Sequence, residues 1–168
     1  CTFLAPVLTG CTVVFPRTIS GADIADAVRS RRVTVLVAVP QVLALFHKKI
    51  FETVEKSPFM VRDLFGTMKD VTRWVRRLTP LNPGRILFRK IHSKFPALRY
   101  LTSGGARLEP DILKDMRDLG FNIIEAYGLT ETSPIACFNH PKRPVPGSVG
   151  RAITDVDVKI EKTQKDFD

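Results

Sequence analysis

The sequence predicts an α/β domain: a mostly parallel sheet flanked by helices, with a helical basic insert. Three observations predict it. Short β-rich runs that are apolar on both faces suit strands buried within a parallel sheet. Helical patterns lie between those runs, and strand, helix, strand in this order implies right-handed crossovers. Positive charge is concentrated in one window that interrupts the alternation. The chain has 168 residues and a net charge of +9, and 44% of it is hydrophobic. That suits one domain with a sizeable core.

The opening run, "CTFLAPVLTGCTVVFP", carries no charge. It is too short to span a bilayer, which takes roughly 20 apolar residues, and Pro6 and Gly10 interrupt it. It also lacks the basic leader of a signal peptide. It reads as core sequence beginning in mid-domain, with "TVVF" (12–15) a weak strand candidate, and so as part of a fragment. If the sequence it packs against is missing, its apolar surface should be exposed and favour self-association. "GADIADAVRSRR" follows as a helix with Ile24, Ala27 and Val28 on one face, and Ser20 and Asp23 as a loose capping box. "VTVLVAV" (33–39) is a strand and completes a first unit, 1–39.

The insert, 40–97, begins where Pro40 opens a helix with the stripe Val42, Leu43, Phe46, Ile50 and Val54. After Pro58 a second stripe runs Val61, Leu64, Phe65, Met68, Val71, Val75 and Leu78, opposite Arg62, Lys69, Arg73, Arg76 and Arg77. Pro80 and Pro83 end it, and a third helix is expected over Ile86 to Phe95. From His47 to Arg99 there are thirteen Lys/Arg and four Asp/Glu; the rest of the chain has thirteen of each sign. Basic helices of this kind bind nucleic acid or anionic membranes. No nucleic-acid reader motif is present, and Trp74 reads as packing near the stripe, so no nucleic-acid partner is expected. A solvated basic face comes first and peripheral membrane contact second.

Strand "LRYLT" (98–102), helix "LEPDILKDMRDLG" and strand "FNIIEA" (121–126) make the third unit, 98–150. The helix has Ile112, Leu113, Met116 and Leu119 in line, Pro110 in its first turn and Gly120 at its C-terminal cap. The last unit, 151–168, contains "VDVKI" (156–160), whose alternation reads as a half-exposed strand, and a charged tail with Phe167. Cys1, Cys11 and Cys137 form no C-x-x-C pair, so neither a disulfide framework nor a zinc site is implied and a reducing, cytoplasmic setting is expected. His47, His92 and His140 lack metal-ligand spacing and read as solvated or capping.

Two loops leave neighbouring strands at their carboxyl ends, where open parallel sheets bind ligands. "SGGARLEP" offers Gly104 and Gly105 for close backbone approach, and a helix N-terminus behind them. A two-glycine loop is more often a plain turn. "AYGLTETS" (126–133) is more pointed. Tyr127 has a flat face for a planar ring, and Gly128 lets the chain turn. Thr130 can donate to a phosphate oxygen, and Glu131 is a hard oxygen ligand suited to Mg²⁺. A polar turn, with Thr130, Thr132 and Ser133 satisfying backbone groups before Pro134, stands level with a ligand rim on spacing alone.

"YGLTETS" resembles the signature of the adenylate-forming, AMP-binding enzymes. "LRYLTSGGARLEPDIL" and "VPGSVGRAITDVDVKI" are similar to the family's preceding and following segments, so the resemblance covers about Leu98 to Ile160. The long basic insert resembles the long-chain fatty acyl-CoA synthetases. The resemblance implies that Tyr127 stacks on adenine, with the Glu125 and Ala126 backbone beside its exocyclic amine. It places Gly105, Ala106 and Gly128 in the nucleotide and acyl pocket, Thr130 at the α-phosphate and Glu131 on Mg²⁺. The implied reaction uses ATP, a fatty acid or other carboxylic acid, and coenzyme A. Amino-acid adenylation and medium-chain or aryl acids are the alternatives. The family's phosphate loop, ribose-binding aspartate and C-terminal lysine are not found, so the fragment by itself is expected to be inactive.

Overall fold

The computed structural model describes residues 3–79, 82–132, 134–141, 144–145 and 147–161. The features read at Cys1, Pro80, Ser133 and the tail from residue 162 lie outside them.

A sheet of five strands organises the chain. In spatial order these are β1 (Val35–Ala38), β2 (Tyr100–Ser103), β3 (Ile123–Tyr127), β4 (Cys137–Phe138) and β5 (Arg151–Ala152). β1, β2 and β3 run parallel, as the apolar runs predict, while β4 and β5 add antiparallel. The register aligns Leu36, Leu101 and Ile123 in one row, then Ala38, Ser103 and Glu125 in the next. Strand side chains alternate between faces, so these two rows share the face on which the helical layer packs. Val35 and Val37 project from the other face and stay exposed.

The helices are α1 (Leu4–Leu8), α2 (Gly21–Ser30), α3 (Pro40–Glu55), α4 (Phe59–Leu78), α5 (Gly84–Leu87), α6 (Arg89–His92) and α7 (Pro110–Asp118). Three of these helices start where local chemistry sets them. The Ser20 hydroxyl accepts from the Asp23 N–H at 3.1 Å, closing the first turn of α2. Pro40 and Pro110 occupy the first turns of α3 and α7, where the missing N–H costs nothing. Gly120 follows α7 at φ +94°, and a Cβ there would lie 2.3 Å from the Arg85 nitrogen, so the residue must be glycine. The core joins Leu43 and Phe46 of α3, Leu113 and Met116 of α7, and Leu101 and Ile123 of the sheet.

The structure corrects four expectations. "TVVF" (12–15) pairs with no strand, and Phe15 is exposed; the exposed apolar surface expected of the opening run is present at Phe3, Leu4 and Leu8. "VDVKI" (156–160) is not a strand. The chain pairs earlier, at β5, then turns at Asp155, whose φ is +63°. The third insert helix is two short ones, broken at Phe88, which is buried and has left helical geometry.

The fourth correction concerns α4. Its inward face is Phe65, Met68, Thr72 and Val75, while Val61, Leu64, Val71, Trp74 and Leu78 of the expected stripe and its surroundings are exposed. Charge explains the rotation. Lys69 donates to Asp115 at 2.5 Å, and Arg73 donates through Nε and Nη2 to Asp118 at 3.0 and 2.7 Å. Arg76 donates to the Arg117 carbonyl. Three of the five basic residues expected to be solvated thus bind α7, and the helix turns to let them.

Candidate functional site

Because β2 and β3 are parallel and in register, both loops named above leave the same sheet edge. A Cβ on Gly104 would sit 3.7 Å from the Ala126 carbonyl, so the loops touch there. Gly105, at φ +85°, and Ala106 are exposed beside them. Tyr127 ends β3 half-exposed, its carbonyl accepting from the Ala136 N–H at 2.9 Å. Gly128 is demanded by close approach: a Cβ would lie 1.7 Å from the Pro134 carbonyl oxygen. The chain therefore doubles back sharply and presents a 3-10 turn, Thr130–Thr132, to solvent.

Within that turn the three polar residues part company. The Thr132 hydroxyl is held by the backbone, contacting the Leu129 N–H and carbonyl, each at 2.9 Å. This much of the polar-turn reading holds. Thr130 and Glu131 are exposed and make no hydrogen bond or ion pair among the described residues. Their polar atoms face outward, available to a ligand.

Glu125 is placed differently. Its side chain is buried and accepts from the Gly147 N–H at 3.3 Å, and its carbonyl accepts from Asn139 at 3.1 Å. Burial pushes its pKa up, against the Gly147 N–H and the charges of Arg117 and Arg107. Arg117 lies in the same region. Burial and the nearby Arg76 charge lower its pKa to about 10, against Asp118 and Glu125, and it contacts the Pro144 carbonyl at 3.4 Å. Ala126 pairs with Phe138 across β4.

Asn139 is a residue the sequence reading missed. It is buried, donates to the Val145 and Ser148 carbonyls at 2.9 and 2.7 Å, and accepts from the Val145 N–H at 3.0 Å. These bonds tie Val145 and Ser148 to the end of β4. The only signal was an Asn between an apolar strand and a proline-rich loop, a common turn residue. Ser103, at the end of β2, was also passed over; its hydroxyl is buried without a partner among the described residues.

No group of three or more His, Cys, Asp or Glu able to hold a metal occurs among the described residues. The donor set still fits Mg²⁺, which takes one or two carboxylates and fills its shell with water and substrate phosphates. Glu131 is one exposed carboxylate, unpaired among the described residues, beside the exposed Thr130 hydroxyl. A concavity of about 290 Å³ between Phe15 and α2 lies away from these loops. The site is an open rim.

Parallel strands carry two glycine-bearing loops to one carboxyl edge, the place where open α/β sheets bind ligands. The chain belongs to the AMP-binding enzyme family, whose model matches residues 1–167. It is 37% identical over 76 residues to a probable chloroplastic acyl-activating enzyme 16 of Arabidopsis thaliana, covering 45% of this chain and 10% of that protein. It is 35% identical over 68 residues to the mitochondrial acyl-coenzyme A synthetase ACSM4 of Homo sapiens, covering 40% and 12%. Among solved structures, o-succinylbenzoate CoA synthetase of Bacillus subtilis aligns with TM-score 0.59 at 21% identity, over 95% of this chain and 25% of that one. The matches thus span about a tenth of such relatives and a quarter of the solved chain, and the likeness to the latter shows the fold.

Proposed function

We propose that residues 98–150 form one wall of the ATP site of an acyl-CoA synthetase. The observation that carries this is the placement of Tyr127, Thr130 and Glu131 at one sheet edge, outward and unsatisfied, beside the Gly104–Ala106 loop. Tyr127 stacks on the adenine, and Ala126 lies at the ring's edge. Gly105, Ala106 and Gly128 keep the backbone close to nucleotide and acyl group. Thr130 donates to the α-phosphate. Glu131 holds Mg²⁺, which neutralises phosphate charge when bound. In the reaction, a substrate carboxylate oxygen attacks the α-phosphorus and pyrophosphate leaves. The thiol of coenzyme A then displaces AMP to give the thioester. Positioning and charge neutralisation supply most of such catalysis, which suits a rim built from loops.

The substrate we assign is a long-chain fatty acid. Support comes from the length of the α3–α6 segment, and from a 33% identity over 76 residues to an Arabidopsis long-chain-fatty-acid–[acyl-carrier-protein] ligase, covering 45% of this chain and 10% of that protein. Residues 1–168 alone are proposed to form no acyl-AMP. Assaying AMP release by the longer protein against acids of graded length tests the assignment. A maximum at short or aryl acids overturns it.

A cytosolic setting with contact to anionic bilayers is part of the same proposal. No described helix is long and apolar enough to cross a membrane. Contact rests on the exposed Arg85, Arg89, Lys90 and Lys94 around α5 and α6. Equal flotation with acidic and neutral liposomes at low salt would remove it.

A further inference from the structure

The outer face of α4 is not used by the site described above. Five apolar side chains line it: Met60 is 81% exposed, Leu64 59%, Val71 45%, Trp74 64% and Leu78 65%. With exposed Thr67 they follow a spacing of four, three, four, three, four, the seam of a coiled coil rather than the wider stripe of a helix packed on a core. The seam runs through 19 of the helix's 20 residues, about 27 Å at 1.5 Å per residue. An uncovered apolar line of that length favours a partner.

The pattern fits its own reverse. A two-fold axis level with Lys69, perpendicular to the helix, sets Met60 against Leu78, Leu64 against Trp74, and Thr67 against Val71. Every seam residue then meets another seam residue. Charge agrees with this arrangement. Asp63 and Arg77 flank the seam on one side, near opposite ends, and neither enters an ion pair among the described residues. The same axis brings Asp63 of each copy to Arg77 of the other, within the reach of an arginine. Asp70, which would meet its own copy near the axis, is already bound to Arg73 at 3.2 Å. A parallel pairing would leave Asp63 and Arg77 at opposite ends. An anionic bilayer fits this face poorly, because Asp63 and Asp70 line the seam and Lys69, Arg73 and Arg76 are turned inward to α7.

We propose that α4 is a self-association surface, on which a second copy of this chain docks antiparallel through the seam from Met60 to Leu78. Closed two-fold contacts of this kind are isologous, so each favourable pair occurs twice.

Sedimentation equilibrium of the full 168-residue chain tests it, with circular dichroism to confirm that each variant is folded. The chain is expected to dimerise, and Trp74→Ala to raise the dissociation constant at least about 30-fold, because the change removes two buried aromatics. Asp63→Arg and Arg77→Asp are each expected to raise it about 3- to 10-fold. The double variant is expected to restore it. A monomer at about 100 µM overturns the proposal. So does a dimer indifferent to Trp74→Ala but lost on Val37→Asp, which would place contact on the open sheet face. A double variant no tighter than the single ones overturns the antiparallel pairing. A monomer whose binding to phosphatidylserine vesicles is lost on Trp74→Ala would assign the face to lipid and overturn the second copy.

Discussion

The α4–α7 contact and the loop rim are both polar, and they use polarity in opposite ways. At α4–α7 the contact is built on answered groups: Lys69 and His47 converge on Asp115, with His47 3.0 Å away, and Arg73 takes Asp118 through two nitrogens. Phe51 stacks on His47, and its face also meets Lys69, 4.7 Å from the ring centre. At the rim, Thr130 and Glu131 have no such partners among the described residues, and Tyr127 gives half its surface to water. At α4–α7 the polar groups hold two helices together, and at the rim they are open to solvent. The contrast teaches that charge count says little about function until partners are known. The basic window dominates the net charge, yet its Lys69, Arg73 and Arg76 are spent on holding α7.

The largest effect should come from Asp118→Ala. It removes the nearly buried partner of Arg73 and leaves only the exposed Asp70, and breaking such a pair costs about 2–3 kcal/mol after allowing for the partial exposure of Arg73. Urea denaturation measures it, and a change under about 0.5 kcal/mol would erase the contrast. Gly128→Ala comes next, at about 2 kcal/mol, since the Pro134 carbonyl must move. Tyr127→Ala on the same loop should stay within about 0.5 kcal/mol of the parent stability, as expected of an exposed ligand-facing residue.

The smallest effects are in pH dependence, and they have opposite signs in the two regions. Burial works against the Asp115 carboxylate, yet hydrogen bonds from Lys69 and His47, and their charges, hold its pKa below the ordinary 3.8. A depressed acid stabilises the fold above its unfolded pKa and loses that contribution as pH falls through the folded value. Asp115→Asn should therefore flatten the acid limb of the stability curve below about pH 4. Glu125 is raised above 4.5 by burial, so its contribution is whole below 4.5 and declines as pH rises through the folded value. Glu125→Gln should remove that decline. Thermal melts across pH 3 to 7 check both, and parallel curves for the two variants would refute the assignment.

Much of the parallel core was legible because apolar runs and capping residues are local. Ser20, Pro40, Pro110 and Gly120 each act within a few residues, and each sits where its chemistry predicts. His92, read as solvated or capping, takes the second role: its Nε2 lies 2.9 Å from the Leu119 carbonyl at the end of α7. The rotation of α4 was not legible. It depends on Asp115 and Asp118, more than forty residues away, and hydrophobic periodicity cannot register an ion pair at that separation. Two-residue strands such as β4 and β5 carry too little pattern to read. At the rim, the residue types pointed to a ligand, but only the structure separates Thr132, used by the turn, from Thr130 and Glu131. Asn139 escaped because its side-chain bonds to Val145 and Ser148 are all to backbone that the sequence does not place.

The central claim is that the outward groups of this rim bind ATP in the longer protein. ATP–pyrophosphate exchange with fatty acid present, measured for Tyr127→Ala, Thr130→Ala and Glu131→Gln at matched thermal stability, tests it most directly. Exchange should fall by about 100-fold or more for Glu131→Gln and by about 10-fold or more for the other two. Folded variants that keep exchange within about 2-fold of the parent would contradict it.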